Sequence, residues 1–174
     1  MRGTADRWVL LAYRMPRQPS TPRIAVWRKL DRLGVARLGD GLVALPADAR
    51  TREQLDWIAE EITEMGGSVT LWLANPGSTA QEQAIAAGMR QARSAEYQAV
   101  ITQARAAASA RPGERARTAK RLQAELRRIG RRDFFPPAER DAARLAVQEL
   151  SRRSAPDVTE TTGDSVEAAG GEPR

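Results

Sequence analysis

The sequence contains neither cysteine nor histidine among its 174 residues. Without cysteine, no disulfide, thiolate nucleophile or redox thiol can form. Without histidine, no imidazole can bind a metal or act as a base. These two absences exclude zinc sites of the cysteine–histidine type, Ser-His-Asp hydrolysis and thiol reduction. Only carboxylate-based metal chemistry and arginine-based electrostatics are left for function.

Hydrophobic runs long enough for a membrane are missing as well. The longest strongly apolar stretch near the start of the chain covers residues 8–13, six positions in all. A signal-peptide core needs at least about seven apolar residues and a transmembrane helix about 20. We therefore expect a cytoplasmic protein that makes no contact with a membrane.

Aromatic residues are few, and most lie in the first half of the chain. Five of the eight fall within residues 8–73. Apolar periodicity predicts six elements there: a strand over 8–13, a helix over 22–33, strands over 35–38 and 41–45, a helix over 51–65 and a strand over 69–74. This order is the split β-α-β arrangement of ferredoxin-like domains. We predict an α+β fold whose ferredoxin-like core spans residues 7–76, with both helices on one face of an antiparallel sheet.

Local signals predict where the elements of this core begin and end. A hydroxyl of Ser20 or Thr21 is the expected N-cap of the first helix, and Gly34 fits the left-handed position that ends it. Thr51 and Gln54 have the spacing of a capping box at the start of the second helix. Residues 39–41 read Gly-Asp-Gly, which predicts a hairpin turn between the middle strands.

The rest of the chain has helical periodicity but few large apolar residues. A long alanine-rich helix is expected over 78–110, and a second helix over 114–129 is expected to end at Gly130. A third helix carries Leu145 and Leu150. We predict a helical arm of about three helices over residues 77–153, followed by a disordered acidic tail over 154–174.

Positive charge is segregated along the chain and consists almost entirely of arginine. Of the 28 basic residues 26 are arginine, and the net charge is +6 over residues 1–50, −4 over 51–75, +7 over 111–153 and −4 over 154–174. Basic helices suit phosphate backbones, because each neutralised phosphate releases counterions. The candidate nucleic-acid contacts are Arg14, Arg17, Arg23, Arg28, Lys29, Arg32, Arg127, Arg128, Arg131 and Arg132.

Two alternatives to nucleic-acid binding follow from the same charges. A charged helix face is commonly just solvated, and the acidic helix that includes Glu53, Glu61 and Glu64 offers internal partners for the basic blocks. The acidic tail could likewise compete with DNA for the arginines. A third interpretation is a small oxyanion pocket, since Arg14, Arg17 and Arg23 bracket a predicted helix N-terminus.

Several short motifs together resemble one known family. They are Trp8-Val-Leu-Leu-x-Tyr13-Arg14-x-Pro16-x-x-Pro19-Ser20, Arg23-x-x-Val26-Trp27-Arg28-Lys29-Leu30-x-x-Leu33-Gly34, Asp40-Gly41-x-x-x-Leu45-Pro46, Leu55-x-Trp57-x-x-x-Glu61-Ile62 and Arg132-Asp133-Phe134-Phe135. Over residues 7–150 this combination resembles the N-terminal domain of the chromate resistance protein ChrB. The resemblance implies a chromate-responsive transcriptional regulator that accompanies a chromate efflux transporter, with DNA binding in this N-terminal part.

The same resemblance bears on the partners of the chain. Larger members of the family continue into a second domain associated with sensing chromate, so a separate chromate-sensing protein is a candidate partner. A second copy of the chain is another candidate, as a homodimer. No cofactor is implied.

The predicted core is also similar to the sheet of small CRISPR-associated nucleases and of PaaX-type repressors. Those nucleases place an aspartate at the end of the first strand to hold a metal. Here that stretch reads Tyr13-Arg14, while Asp6 precedes the strand and Asp40 lies in the hairpin turn. We therefore predict no catalytic residue, no metal site and no enzymatic activity.

The sequence leaves three functions to consider. The first is a DNA-binding transcriptional regulator or accessory protein of chromate resistance. The alternative is a protein-interaction module that partners a separate sensor domain, through its tryptophan-bearing sheet or its helical arm, without binding DNA. A metal-dependent nuclease is the third and least supported option.

Overall fold

Strands and helices alternate through the first half of the chain, and helices alone form the second. The computed structural model describes residues 7–154. Its elements are β1 (Trp8–Arg14), α1 (Ser20–Leu33), β2 (Ala36–Gly39), β3 (Leu42–Pro46), α2 (Ala49–Glu64), β4 (Ser68–Ala74), α3 (Thr79–Ala106), α4 (Pro112–Gly130) and α5 (Glu139–Arg152). A short 3₁₀ turn, Ala107–Ser109, joins α3 to α4. The predicted α+β class is confirmed, whereas the predicted disordered tail lies, apart from Ser154, outside the described residues.

The four strands form one sheet in the order β2-β3-β1-β4, and every neighbouring pair is antiparallel. This is the ferredoxin-like arrangement, in which each β-α-β unit leaves room for one strand of the other unit. The hairpin turn between β2 and β3 needs glycine at position 41. Its φ is +73°, and a Cβ atom there would lie 2.2 Å from the carbonyl oxygen of Tyr13.

Helices α1 and α2 cover the sheet face that carries Val9, Leu11, Val43 and Leu45, all of which are buried. Arg37 marks this face, because it pairs with Val43 in the sheet while its guanidinium lies 5.0 Å from the ring centroid of Trp27 on α1. Alternation along a strand sends the neighbouring side chains to the opposite face. Both helices therefore lie on one side of the sheet, as the sequence predicted.

The opposite face of the sheet is covered by the start of α3 and by the segment between α4 and α5. Trp8, on that face, stacks on Phe135 with 6.0 Å between ring centroids. Ala86 and Met89 of α3 complete the same buried cluster. The first half of α3 therefore belongs to the core of the sheet and not, as the sequence predicts, to a helical arm separate from it.

A second core lies between α3, α4 and α5. Its buried residues are Tyr97, Val100, Ile101, Ala104, Ala119, Leu122, Ile129, Ala143, Val147 and Leu150. Of the two leucines expected on α5, Leu150 is buried, whereas Leu145 is 65% exposed. Alanine and valine at 143 and 147 supply the inward face instead, because they lie at the i−7 and i−3 positions of Leu150.

Three predicted helix ends need correction, and one is confirmed. The N-cap of α1 is Pro19 and makes no side-chain hydrogen bond, so Ser20 and Thr21 are not its cap. The capping box of α2 is formed by Asp48 and Thr51, one turn before the predicted pair. Gly130 is the last residue of α4 and does not cap it, since Arg131 follows in right-handed helical conformation. Gly34 does end α1, with a φ of +72°.

Candidate nucleic-acid interface

Five arginines from three parts of the chain surround one depression of about 290 Å³. We call them the arginine cluster: Arg32, Arg50, Arg128, Arg131 and Arg132. Arg32 lies in the last turn of α1, Arg50 in the first turn of α2, and the other three at the end of α4 or just after it. Leu33 and Gln54 complete the lining, so no carboxylate borders the depression among the described residues.

The end of α1 fixes how closely these elements approach. Gly34 is buried and left-handed, and a Cβ atom on it would lie 2.8 Å from the Cβ atom of Arg132 and 3.2 Å from its carbonyl oxygen. Any other residue at position 34 would push the segment after α4 away from α1. Glycine therefore ends the helix and lets Arg132 pack against it.

The charges of the cluster are only partly neutralised. Arg132 donates to Glu96 over 2.8 Å, and Arg128 forms an ion pair with Glu125. Within the part of the chain that the structure describes, Arg32 and Arg131 have no ion-pair partner. The depression therefore keeps excess positive charge, the property required for binding a polyanion.

A buried carboxylate holds the segment that carries Arg131 and Arg132. Asp133 has a side chain only 1% exposed, and its Oδ2 accepts a hydrogen bond of 2.9 Å from the Tyr97 hydroxyl on α3. The Arg140 Nε lies 4.0 Å from the same oxygen. Burial, together with this hydrogen bond to a carboxylate, raises the pKa of Tyr97 to about 12. The phenol thus stays protonated and ties the arginine-bearing turn to α3.

The remaining candidates of the first basic block lie elsewhere. Arg14, Arg17 and Arg23 line a wide, open depression with Arg37 and Asp40, at the other end of α1 from the cluster. Arg23 and Arg32 are nine residues apart, which is about 13 Å of helical rise. The ten predicted contacts are therefore not gathered in one patch. The hydroxyls of Ser20 and Thr21 do not line this depression, so the oxyanion pocket expected there lacks its predicted cap.

Arg28, Lys29 and Arg127 border neither basic depression. Lys29 forms an ion pair with Glu61 of α2, with 2.6 Å between the Lys29 Nζ and the Glu61 Oε1. Arg28 and Arg127 are exposed and have no ion pair within residues 7–154. Of the acidic α2 side chains, Glu61 does act as an internal partner of the basic block, which is the alternative that the sequence had left open.

Sequence reasoning missed Arg50. Its guanidinium lies 5.9 Å from the ring centroid of Phe134, and its Nη1 is 3.4 Å from the carbonyl oxygen of Arg131. The missed signal was Asp48: once it is taken as the N-cap, Arg50 falls in the first turn of α2, one turn before Gln54. A helix starting at Thr51 leaves Arg50 in a loop.

A second, more apolar groove continues from the arginine cluster between α1 and α2. It has a volume of about 430 Å³ and is lined by Lys29, Arg32, Leu33, Glu53, Gln54, Trp57, Ile58 and Glu61. Three of these residues, Arg32, Leu33 and Gln54, also line the depression of the cluster. Trp57 stands in the groove with 69% of its surface exposed.

The chain matches the family model described as "Protein ChrB, N-terminal" over residues 23–162, about four fifths of its length. The chain belongs to the ChrB N-terminal family. It is also 29% identical over 169 residues to Protein ChrB of Cupriavidus metallidurans, an alignment that covers 96% of this chain and 52% of that protein. The chain thus spans about half the length of the ChrB relative it matches. All five members of the arginine cluster lie inside the family match, whereas Arg14 and Arg17 precede it.

Two further observations bear on this ChrB-family chain. Over residues 7–154, none of the helices combines the length and the apolar character needed to cross a bilayer. The same residues contain no group of three or more carboxylates placed to hold a metal ion.

Proposed function

We propose that this ChrB-family chain binds DNA as a transcriptional regulator or accessory protein of chromate resistance, and that the arginine cluster is its main phosphate contact. The convergence of five arginines on one depression without a bordering carboxylate supports the proposal best. Guanidinium groups bind phosphate oxygens through paired hydrogen bonds, and each contact releases counterions. The proposed role is binding without catalysis, in the cytoplasm.

The second group of arginines extends this contact. Arg14 ends β1, Arg17 lies in the following loop and Arg23 lies in the first turns of α1; all three line one depression, whereas Arg32 lies near the end of α1. Nine residues separate Arg23 from Arg32, which is a rise of about 13 Å and a rotation of about 900°, so the two side chains extend from opposite sides of α1. In the proposed complex α1 lies across a groove, with one arginine group near each bordering strand. Phosphate contacts of this kind position the protein but do not read sequence.

The protein-interaction alternative also has a specific observation in its favour. β4 is an edge strand, and its Trp72 and Leu73 are 60% and 46% exposed. Exposed apolar side chains on an uncharged edge strand suit pairing with a partner protein, such as a separate chromate-sensing domain or a second copy of the chain. Copurification of such a partner by a chain that shows no affinity for DNA would favour this function.

An electrophoretic mobility shift tests DNA binding. The chain is titrated onto its own operon promoter and onto an unrelated duplex of equal length, at several salt concentrations between about 50 and 200 mM. The Arg32→Ala/Arg131→Ala variant should bind at least tenfold more weakly. The slope of log K against log salt should become less steep by about two, because each phosphate contact contributes about one. Arg52→Ala, on the same helix as Arg50 but outside the cluster, is the control and should change the slope by less than one.

Two results would contradict the proposal. One is undiminished binding after both cluster arginines are removed. The other is the absence of any shifted complex for the wild-type chain at 50 mM salt. Incubation of the promoter with Mg²⁺ or Mn²⁺ tests the non-catalytic part of the proposal, because cleavage dependent on the cation would overturn it.

A further inference from the structure

We propose that the groove between α1 and α2 holds one unstacked nucleotide, with its base on Trp57 and its phosphate at the arginine cluster. The inference rests on the proposed function, because it uses the same phosphate site. The nucleotide could belong to an unpaired stretch of a DNA strand or could be free in solution. Both sources present the same chemistry, an aromatic base joined to a phosphate.

The apolar end of the groove is suited to a flat aromatic ring. Leu33 and Ile58 line the groove beside Trp57. Trp8 is stacked on Phe135 and the ring of Trp27 faces Arg37, but the ring of Trp57 has no aromatic or cationic partner among the described residues. Stacking of a base on such a free indole is the usual way in which proteins hold unpaired nucleotides.

The arginine cluster, which would bind the phosphate, lies two helical turns from Trp57. Arg50, Gln54 and Trp57 follow one another along α2, so that Arg50 and Trp57 are two turns apart, about 10 Å of helical rise. Arg32 and Gln54 border both the groove and the depression of the cluster. A ligand can therefore keep its base on Trp57 while its phosphate contacts Arg32, which lines both spaces, and Arg50, which lines the depression of the cluster.

The charges of the groove give the ligand one orientation. Glu53 and Glu61 border the end that contains Trp57, whereas no carboxylate borders the cluster in the described part of the chain. Glu61 is already paired with Lys29, whereas Glu53 has no ion pair within residues 7–154 and can accept a hydrogen bond from an exocyclic amino group. Anionic groups are repelled from the Trp57 end and attracted to the arginines. Adenine, with its amino group, fits this end better than thymine does.

The intrinsic tryptophan fluorescence of the whole chain tests the inference. The probes are octadeoxyadenylate, AMP, inorganic phosphate and a short duplex, each titrated onto the wild type, Trp57→Ala and Trp72→Ala. Trp72 is the matched control because it is also a highly exposed tryptophan but lies on β4, outside the groove. Circular dichroism checks that both variants fold.

We expect octadeoxyadenylate to quench the fluorescence of the wild type and of Trp72→Ala. The Trp57→Ala variant should show no such quenching and, in a mobility shift with the labelled oligonucleotide, should bind about 5- to 150-fold more weakly, the value of one base–aromatic stack. Quenching by AMP that competes with the oligonucleotide would identify a free nucleotide as a ligand. Quenching by the oligonucleotide alone would identify a DNA strand as the source.

Several outcomes would overturn the inference while leaving DNA binding intact. One is equal affinity of the Trp57→Ala and wild-type chains for octadeoxyadenylate. Another is binding of duplex and of inorganic phosphate, abolished in Arg32→Ala/Arg131→Ala, without any response to octadeoxyadenylate or AMP. Failure of the proposed function gives a different pattern, since neither duplex nor oligonucleotide then binds and the arginine variant behaves as the wild type does.

Discussion

Gly34 and Arg132 touch where α1 ends, although almost a hundred residues separate them in the sequence. A side chain at position 34 would meet the Cβ atom of Arg132 at 2.8 Å and the Nη1 of Arg93 at 2.6 Å. The contact brings the turn after α4 against the end of α1. Two members of the arginine cluster, Arg32 and Arg132, are neighbours because this glycine has no side chain.

Replacing Gly34 by alanine should therefore affect both stability and binding. The left-handed φ of +72° and the clash with Arg132 together predict a loss of about 2–4 kcal/mol in the free energy of unfolding. DNA affinity should fall as well, because Arg132 is displaced. Urea unfolding and the mobility shift measure the two effects.

Gly88→Ala is the control for the Gly34 variant. A Cβ atom on Gly88 meets nothing within 4 Å, and the residue lies inside α3. Alanine should stabilise this helix by about 0.5–1 kcal/mol and leave DNA affinity unchanged. A Gly34→Ala chain as stable as the wild type would show that α1 and Arg132 do not pack as described.

The hydrogen bond between Tyr97 and Asp133 should be necessary for stability. Tyr97→Phe leaves the buried Asp133 carboxylate without its only hydrogen-bond donor within residues 7–154, so that we expect a loss of about 1–3 kcal/mol in the free energy of unfolding. Tyr13→Phe removes a hydroxyl that has no hydrogen bond in the described structure and should change stability by less than about 0.5 kcal/mol. Equal stability of the two variants would contradict the prediction.

The same tyrosine predicts a pH dependence. Its pKa is raised to about 12 in the folded chain, above the ordinary value of about 10, so the folded state holds this proton more tightly than the unfolded state does. The contribution of this proton to the free energy of unfolding is present below pH 10 and is lost as the pH rises toward 12. The free energy of unfolding should therefore fall by about 1 kcal/mol between pH 9 and pH 11. Urea unfolding at pH 8, 9, 10 and 11 should show this decline in Tyr13→Phe and a smaller decline in Tyr97→Phe.

The ion pair of Lys29 predicts an increase in DNA affinity from a single substitution. Glu61 neutralises Lys29, whose neighbour Arg32 has no such partner in the described chain. Glu61→Gln releases the ammonium group and should raise affinity about two- to fivefold at 50 mM salt, with a steeper salt dependence. Glu60→Gln removes the same charge from an exposed position without an ion pair in residues 7–154. If both variants bind equally well, net charge rather than Lys29 is responsible.

As an N-cap, Asp48 should contribute about 1 kcal/mol to the free energy of unfolding. Its carboxylate accepts from the backbone N–H of Thr51 over 2.7 Å, and the Thr51 hydroxyl accepts from the Asp48 backbone N–H over 2.9 Å. Asp48→Ala removes the N-cap and should lower the free energy of unfolding by about 0.5–2 kcal/mol, while Asp48→Asn retains most of it. Thermal unfolding measures both. Indistinguishable melting temperatures for the alanine and wild-type chains would show that the cap contributes nothing.

Local patterns predicted the fold better than they predicted the site. Short apolar runs and the Gly-Asp-Gly turn placed the four strands, and apolar residues three or four positions apart placed the two helices between them, because burial on one face of a helix imposes that spacing. Helix ends were less accurate: Asp48 and Thr51 compete as N-caps in the sequence, and only the reciprocal hydrogen bonds between them in the structure show that Asp48 is the cap. Leu145 was assigned to a helix correctly, but its exposure depends on where α4 packs.

The arginine cluster could not have been assembled from the sequence alone. Its members come from positions 32, 50 and 128–132, and their meeting depends on Gly34 and on the Tyr97–Asp133 hydrogen bond. Charge counting found the two basic blocks but could not show which arginines face each other. It also could not show that Lys29 is paired with Glu61, since the partners are 32 positions apart.

Helix α3 is the one helix that contributes buried residues to both hydrophobic cores of the described chain. Its 28 residues extend about 42 Å, and its first half packs against the sheet while its second half packs against α4 and α5. A rigid rod shared in this way transmits displacement from one end to the other. Anything that shifts α5 should therefore also alter how the first half of α3 packs against the sheet.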